Sequence, residues 1–250
     1  MAIDWLGIIG AAAWLVPIIG WIKKSVTKPE IQIFTAPAPE IGFTMNGPIF
    51  NIRMALAVRY KEIVVTRIGI RLTHESGSFH KFEWRGMTQT MGQMRSPQGH
   101  IPFERESEVL ALKVTPNAVE ERFIRCQDTE FWTRRAPLSA AASRKLAYER
   151  KNGLSDEQFY TSLEMTELYQ FTKQYFYWRP GSYKLDFLLD APERFNLKND
   201  SYHFSLSHQQ VSELATNRDN IEDAWQWTIT NPEDKAGMPA NWIYPELRRR

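Results

Sequence analysis

The sequence predicts a mainly β protein: one N-terminal transmembrane helix, then a β-sandwich interrupted by a helical insertion and followed by a C-terminal helix. Three observations carry this expectation. Residues 5–22 contain no charge. Between Ile31 and Leu206, short runs place apolar residues at every second position, the period of a half-buried strand. Between Asn117 and Gln170 that alternation gives way to capping and helix-period signals. The expected organisation is an anchor over 1–24, a linker over 25–30, a sandwich domain over 31–230 with its insertion at 117–170, and a tail over 231–250.

The first segment reads WLGIIGAAAWLVPIIGWI and is bounded by Asp4 and by Lys23 and Lys24. A helix of 18 residues rises about 27 Å, close to the hydrocarbon thickness of a bilayer. Trp5 and Trp21 stand at its ends, where indole rings anchor at the headgroup layer, and Trp14 lies mid-span. Pro17 is a kink position that membrane helices tolerate. A cleaved signal peptide is the first alternative, since Ala11-Ala12-Ala13 resembles a cleavage site. No positive n-region precedes it, and a cut there leaves most of the apolar run behind. A buried core helix is the second, but the segment is apolar on every face and no similar segment exists to pack on it. Lys23, Lys24 and Lys28 follow the span and Asp4 alone precedes it, which places the body in the cytoplasm by the positive-inside rule. Gly7 and Ala11 are four apart, a small-residue spacing that lets helices approach closely in lipid and self-associate.

Ile31 to Phe34 opens the first strand, and Glu40 to Thr44, after Pro37 and Pro39, forms the second. Asn46-Gly47-Pro48 is a turn. Met54, Leu56, Val58 and Tyr60 alternate with Ala55, Ala57 and Arg59. After a tight connection at Lys61 and Glu62, Val64, Thr66, Ile68, Ile70 and Leu72 share one face, with Arg67 and Arg71 on the other. Glu75 to Ser78 turns the chain into a strand from Phe79 to Trp84. Residues 86–102 carry Gly, Gln, Ser, Pro and Met without a period and read as a long exposed loop of the kind that binds partners. Leu110, Leu112 and Val114 mark another strand.

Asn117 caps an expected helix from Ala118, with Glu120 and Glu121 in its first turn. A second covers 139–151 and stops at Asn152-Gly153. Ser155 with Gln158 suggests a capping box for a third, over 156–170. Strand periodicity returns at Tyr175 to Trp178. Arg179-Pro180-Gly181-Ser182 is a type II turn signal, and Tyr183, Leu185, Phe187 and Leu189 line the next strand. Tyr202, Phe204 and Leu206 form one more. Ser207 with Gln210 is a capping box for a helix bearing Val211, Leu214, Ile221 and Trp225. The tail from Pro232 is irregular, with Trp242, Ile243 and Tyr244 available to dock. Short strands with these turns resemble the immunoglobulin-like sandwich in architecture, without its Cys–Trp–Cys hallmark.

Composition restricts the function classes. Hydrophobic residues make up 43% and charged residues 24%, the balance of a globular chain rather than a disordered one. A net charge of +2 gives no reason to invoke nucleic acid. Cys126 is the one cysteine, so no intrachain disulfide forms. Phosphate-binding glycine loops, GxSxG and HExxH are all absent, so the sequence names no catalytic residue, no cofactor and no small-molecule substrate. His74 and His80 flank a turn beside Glu75 and Glu83 and are the weak metal candidates. Arg122 and Arg125 precede Cys126 and would lower its thiol pKa if they approached it; its ordinary reading is a buried structural thiol.

Between Arg122 and Lys151, eight basic residues face three acidic ones. These are Arg122, Arg125, Arg134, Arg135, Arg144, Lys145, Arg150 and Lys151, with Phe131, Trp132 and Tyr148 interleaved. A solvated helical face, contact with anionic headgroups and nucleic-acid binding all fit; the anchor ranks lipid above nucleic acid. The expected function is a membrane-anchored, non-enzymatic module that binds a protein partner or self-assembles. A membrane-perturbing effector that oligomerises through its anchor is the alternative, and an enzyme or metal-binding domain whose site is not legible is the third.

Overall fold

The computed structural model describes residues 27–249 apart from 97–98, 108–109, 154–155, 232 and 234–236, and only the backbone of 89–96, 99–107 and 156–157. The anchor residues Trp5, Gly7, Ala11, Trp14, Pro17, Trp21, Lys23 and Lys24 lie outside the described residues, as does Ser155. Among the described residues no helix is long and apolar enough to cross a membrane.

In chain order the elements are β1 (Glu30–Thr35), β2 (Glu40–Thr44), β3 (Gly47–Arg59), β4 (Ile63–Val65), β5 (Arg67–His74), β6 (Phe79–Ser96), β7 (Gly99–Ser107), β8 (Leu112–Val114) and β9 (Val119–Asp128). Then come α1 (Thr129–Lys151), α2 (Asp156–Tyr160), α3 (Leu163–Gln174), β10 (Gly181–Asp190), β11 (Asn196–Lys198), β12 (Ser201–Leu206), α4 (His208–Asp219), α5 (Ile221–Thr230) and β13 (Arg248–Arg249). The chain is mainly β, as its alternation predicts. Its strands do not divide into two hydrogen-bonded sheets of similar size: eleven belong to one sheet, ordered β11-β1-β3-β9-β6-β5-β10-β12-β13, with β2 beside β3 and β7 beside β6. β4 and β8 make a separate pair.

The large sheet curls until its ends meet. From β3 to β12 there are five strand steps, roughly 24 Å on a flat sheet. Yet the rings of Phe50 and Phe204, on those strands, are 6.0 Å apart. β11 pairs parallel with β1 while β12, just after it, pairs with β10. The Tyr202 hydroxyl donates to the Ile33 carbonyl at 3.2 Å across the join. The inner face holds Ile33, Phe50, Leu56, Ile70, Phe82 and Leu185, all buried. Trp178 plugs the interior, donating from Nε1 to the Gly42 carbonyl at 3.3 Å.

Five expectations change. Residues 86–96 and 99–102 are not a loop. They belong to β6 and β7, paired from Met87↔Ser107 to Ser96↔Gly99. β6 leaves β9 after Thr88↔Phe123, and beyond that point β7 is its one partner among the described residues. A ribbon held by main-chain bonds needs no apolar period, which is why the sequence shows none. The helix expected from Ala118 is strand β9. Glu120 and Arg122 occupy positions in register with buried Ile124 and Cys126, and these charges mask the alternation. The helix starts instead at Thr129, capped by Asp128, whose Oδ1 accepts the Phe131 N–H at 2.8 Å. Arg122 and Arg125 are therefore strand residues. Tyr175 to Trp178 is not a strand, because α3 runs on to Gln174 and the aromatics after it pack as rings. Val64 and Thr66 point outward and Ile63 and Val65 inward. The chain crosses from the small sheet to the large one at Thr66, and a one-residue slip exchanges faces. Finally, Leu110 lies outside β8 and is 91% exposed.

The C-terminal end follows expectation more closely. Ser207 and Gln210 form the capping box of α4, and the helix breaks at Asn220 before α5. The tail docks: Ile243 exchanges main-chain bonds with Ile41 at 2.9 and 3.0 Å, and the Leu247 N–H donates to the Pro37 carbonyl at 2.7 Å. Ile243 is buried, Trp242 rests against Gly42, and Tyr244 stays exposed.

Candidate functional site

The basic residues fall into three settings. Arg122 on β9 pairs with Glu120 at 2.7 Å, and Arg125 forms part of a cleft floor described below. On α1, Arg134 pairs with Glu130 at 3.3 Å and lies 5.8 Å from the ring centres of Phe171 and Tyr175. Lys145 pairs with Glu149 at 2.7 Å, a hydrogen bond that raises the Lys145 pKa. Arg144, Arg150 and Lys151 are exposed, the last two in the final turn, where cations complement the helix dipole. Arg135 differs from all of these. It is buried between Trp132 and Trp225, 5.2 and 5.3 Å from the ring centres. The structure thus spreads the set over a strand and a 23-residue helix rather than gathering it in one patch.

The two histidines have separate surroundings. His74 lies within hydrogen-bond distance of Ser76 Oγ at 2.9 Å and of the Pro180 carbonyl at 3.2 Å. His80 stacks on Tyr177 with ring centres 3.4 Å apart and approaches Asp128 at 3.6 Å. Asp128 is buried; one oxygen caps α1, and the other accepts the Tyr177 hydroxyl at 3.0 Å. Burial, and then the Asp128 charge, raise the Tyr177 pKa well above its usual value. This cluster ties the start of α1 to β6. Among the described residues no group of three or more His, Cys, Asp or Glu is placed to hold a metal ion. Cys126 lies on the inner face, where burial and then Glu83 push the thiol far above its ordinary range. A thiolate nucleophile is disfavoured there.

A cleft of about 770 Å³ lies between the outer face of the sheet, α5 and the C-terminal segment. The register Glu40↔Asn51↔Arg125 sets an acid, an amide and a guanidinium in one row across β2, β3 and β9. Asn51 is buried; its Nδ2 reaches Glu40 at 3.5 Å, and its Oδ1 has no partner. Ile49 and Phe123 flank the row, and Ile221, Ala224 and Thr228 of α5 face it. Trp242 forms another wall. A Cβ on Gly42 would stand 2.5 Å from that ring, so only glycine admits the indole there. Asn217 secures the same wall, accepting the Asn241 N–H and donating to the Asn241 carbonyl, both at 2.8 Å. The row suits a ligand that brings N–H or O–H donors and an apolar flank. Periodicity did not reveal Asn51, because its place in the row depends on the pairing of three strands.

The chain matches no family model, no curated protein and no solved structure.

Proposed function

We propose that the protein is a membrane-tethered, non-enzymatic binding module whose body works at the cytoplasmic surface and recognises a protein partner or a second copy of itself. The uncharged run over 5–22 supports the tether. The observation that carries the binding role is the β6–β7 ribbon. Beyond Thr88 it leaves the sheet, and among the described residues β7 pairs with β6 alone. Eight residues of β6 (89–96) continue the ribbon for about 26 Å. A two-stranded ribbon is marginally stable in water, and its free edges present main-chain donors and acceptors to an incoming strand. In this reading the curled sheet acts as immunoglobulin-like frames do, holding a recognition segment on a rigid body.

The test replaces 89–105 by an Asn-Gly turn, which joins the paired residues Thr88 and Glu106, in the full chain and measures assembly mass and partner recovery. The expected result is a folded protein whose association is weakened roughly tenfold or more. Unchanged assembly and recovery, with the fold intact, would remove the ribbon from the function. Oligomers that survive this change but vanish in Gly7→Leu with Ala11→Leu would instead assign assembly to the anchor.

A further inference from the structure

Two arginines meet one indole on the helical side of the molecule. The pairing of β6 with β9 slips between Trp84 and Gly86, which makes Arg85 the extra residue of a bulge. A bulge re-aims the side chain it carries. The Arg85 guanidinium lies 5.9 Å from the centre of the Trp132 ring. Arg135 lies 5.2 Å from the same ring and 5.3 Å from that of Trp225. Strand β6, helix α1 and helix α5 each contribute to the cluster.

Among the described residues no acid pairs with these charges. The other arginines of α1 and β9 are paired, exposed or part of the cleft floor; Arg135 is 6% exposed and lies against the two rings. An arginine so deeply buried is almost always paired. Its Nε has no acceptor, and neither does the indole N–H of Trp132 or of Trp225, although all three are buried. Burial lowers the Arg135 pKa with no carboxylate opposing it. Buried donors left without acceptors are costly, and folded proteins rarely tolerate a group of them.

We propose that Arg85, Trp132, Arg135 and Trp225 form an anion site for a phosphate group, either inorganic phosphate or a phosphate ester. The guanidinium fork matches phosphate oxygens in two-point contact. A phosphate near neutral pH carries close to two charges and balances both arginines, whereas a carboxylate balances one. The indole faces hold the Arg135 plane, and the indole N–H groups supply further donors. Free phosphate and the phosphomonoester headgroup of phosphatidic acid present the same chemistry. The headgroup source rests on the membrane tether proposed above; the free-phosphate source does not.

The experiment uses the full chain. In neutral detergent, thermal unfolding is followed as sodium phosphate replaces sodium chloride at matched ionic strength. In parallel, the chain is reconstituted in phosphatidylcholine nanodiscs with and without phosphatidic acid. Phosphate or phosphatidic acid should raise the Tm of the unmodified protein, as a ligand specific to the folded state does. Arg135→Gln and Arg85→Gln should each weaken binding by roughly tenfold to a hundredfold. Arg144→Gln, which removes an exposed charge from the same helix, should leave it unchanged. A response to phosphate alone assigns the site to a soluble ligand, and a response to phosphatidic acid assigns it to the headgroup. No response in either arm, or an equal response in both site variants, overturns the proposal and leaves Arg135 as a packing contact. Arg85 is exposed, so its variant keeps the test decisive even if Arg135→Gln unfolds.

Discussion

The inside of the curled sheet and the helical layer outside it treat polar groups in opposite ways. Inside, the aromatic polar tips have partners: Trp178 donates to Gly42, Tyr202 to Ile33, Tyr177 to Asp128 and Tyr183 to the Arg179 carbonyl, while the Arg122 Nε, at a core-side position of β9, has none. On the helices, Trp132, Arg135, Trp225 and Tyr169 bury donors with no acceptor, and one oxygen of Glu149 is likewise unpaired. Satisfied groups define a finished structure. Unsatisfied ones mark where something further is bound, or where stability has been given up. The contrast therefore separates the part of the molecule that explains the fold from the part that has to explain the function.

The largest test bears on the finished side. Phe82 is buried among Phe50 and Trp178, with ring centres 6.0 and 6.2 Å away. Phe82→Ala should cost about 3–5 kcal/mol in urea denaturation, because a cavity opens where strands from across the sheet converge. The exposed Leu163→Ala on α3 should change stability by less than about 0.5 kcal/mol. A loss below about 1 kcal/mol for Phe82 would mean that the interior relaxes freely, and the contrast would lose its basis.

The same division explains what the sequence makes legible. Strands lining the interior show period two, because one face meets the core: Leu56 and Val58 on β3 and Leu185 and Phe187 on β10 are recognisable without coordinates. Caps are legible for a local reason, as Ser207 and Gln210 show. Three things escape local patterns. β9 carries the charged pair Glu120 and Arg122 on its core-side positions, so it imitates a helix start. The ribbon has no core to impose a period. The bulge at Arg85 and the row from Glu40 to Arg125 exist only through pairing between strands distant in sequence. Arg135 was legible as one basic residue among eight, but its burial depends on α5, which follows 86 residues later in the chain.

A middle-sized effect tests whether a satisfied polar group inside the sheet contributes as the contrast requires. Tyr177→Phe removes a donor from buried Asp128 and should cost about 1–2 kcal/mol near neutral pH. The pH dependence follows from the raised Tyr177 pKa. The folded protein holds this proton more tightly than the unfolded chain, whose tyrosines ionise near 10.0. The linked stability is complete below that pH and is lost as pH rises above it towards the folded value. Tyr177→Phe should therefore show a shallower alkaline decline than the unmodified protein, measured by urea denaturation at neutral and alkaline pH. An identical alkaline slope would show that other tyrosines dominate the linkage.

The smallest effect probes the unfinished side most directly. Tyr169 on α3 is buried, and its hydroxyl has no partner. Burial, followed by the nearby Glu222 charge, pushes its pKa up to about 12. Removing an unpartnered buried hydroxyl relieves a desolvation penalty without breaking a bond. Tyr169→Phe should therefore be neutral or stabilising by up to about 1 kcal/mol, where Tyr177→Phe destabilises. Chemical denaturation of the two variants side by side gives opposite signs if the contrast is real. A loss above about 1 kcal/mol for Tyr169→Phe would mean that the hydroxyl is bonded in solution. An acceptor would then exist on the helical side, and the indoles beside Arg135 would donate to the same kind of partner rather than to an anion.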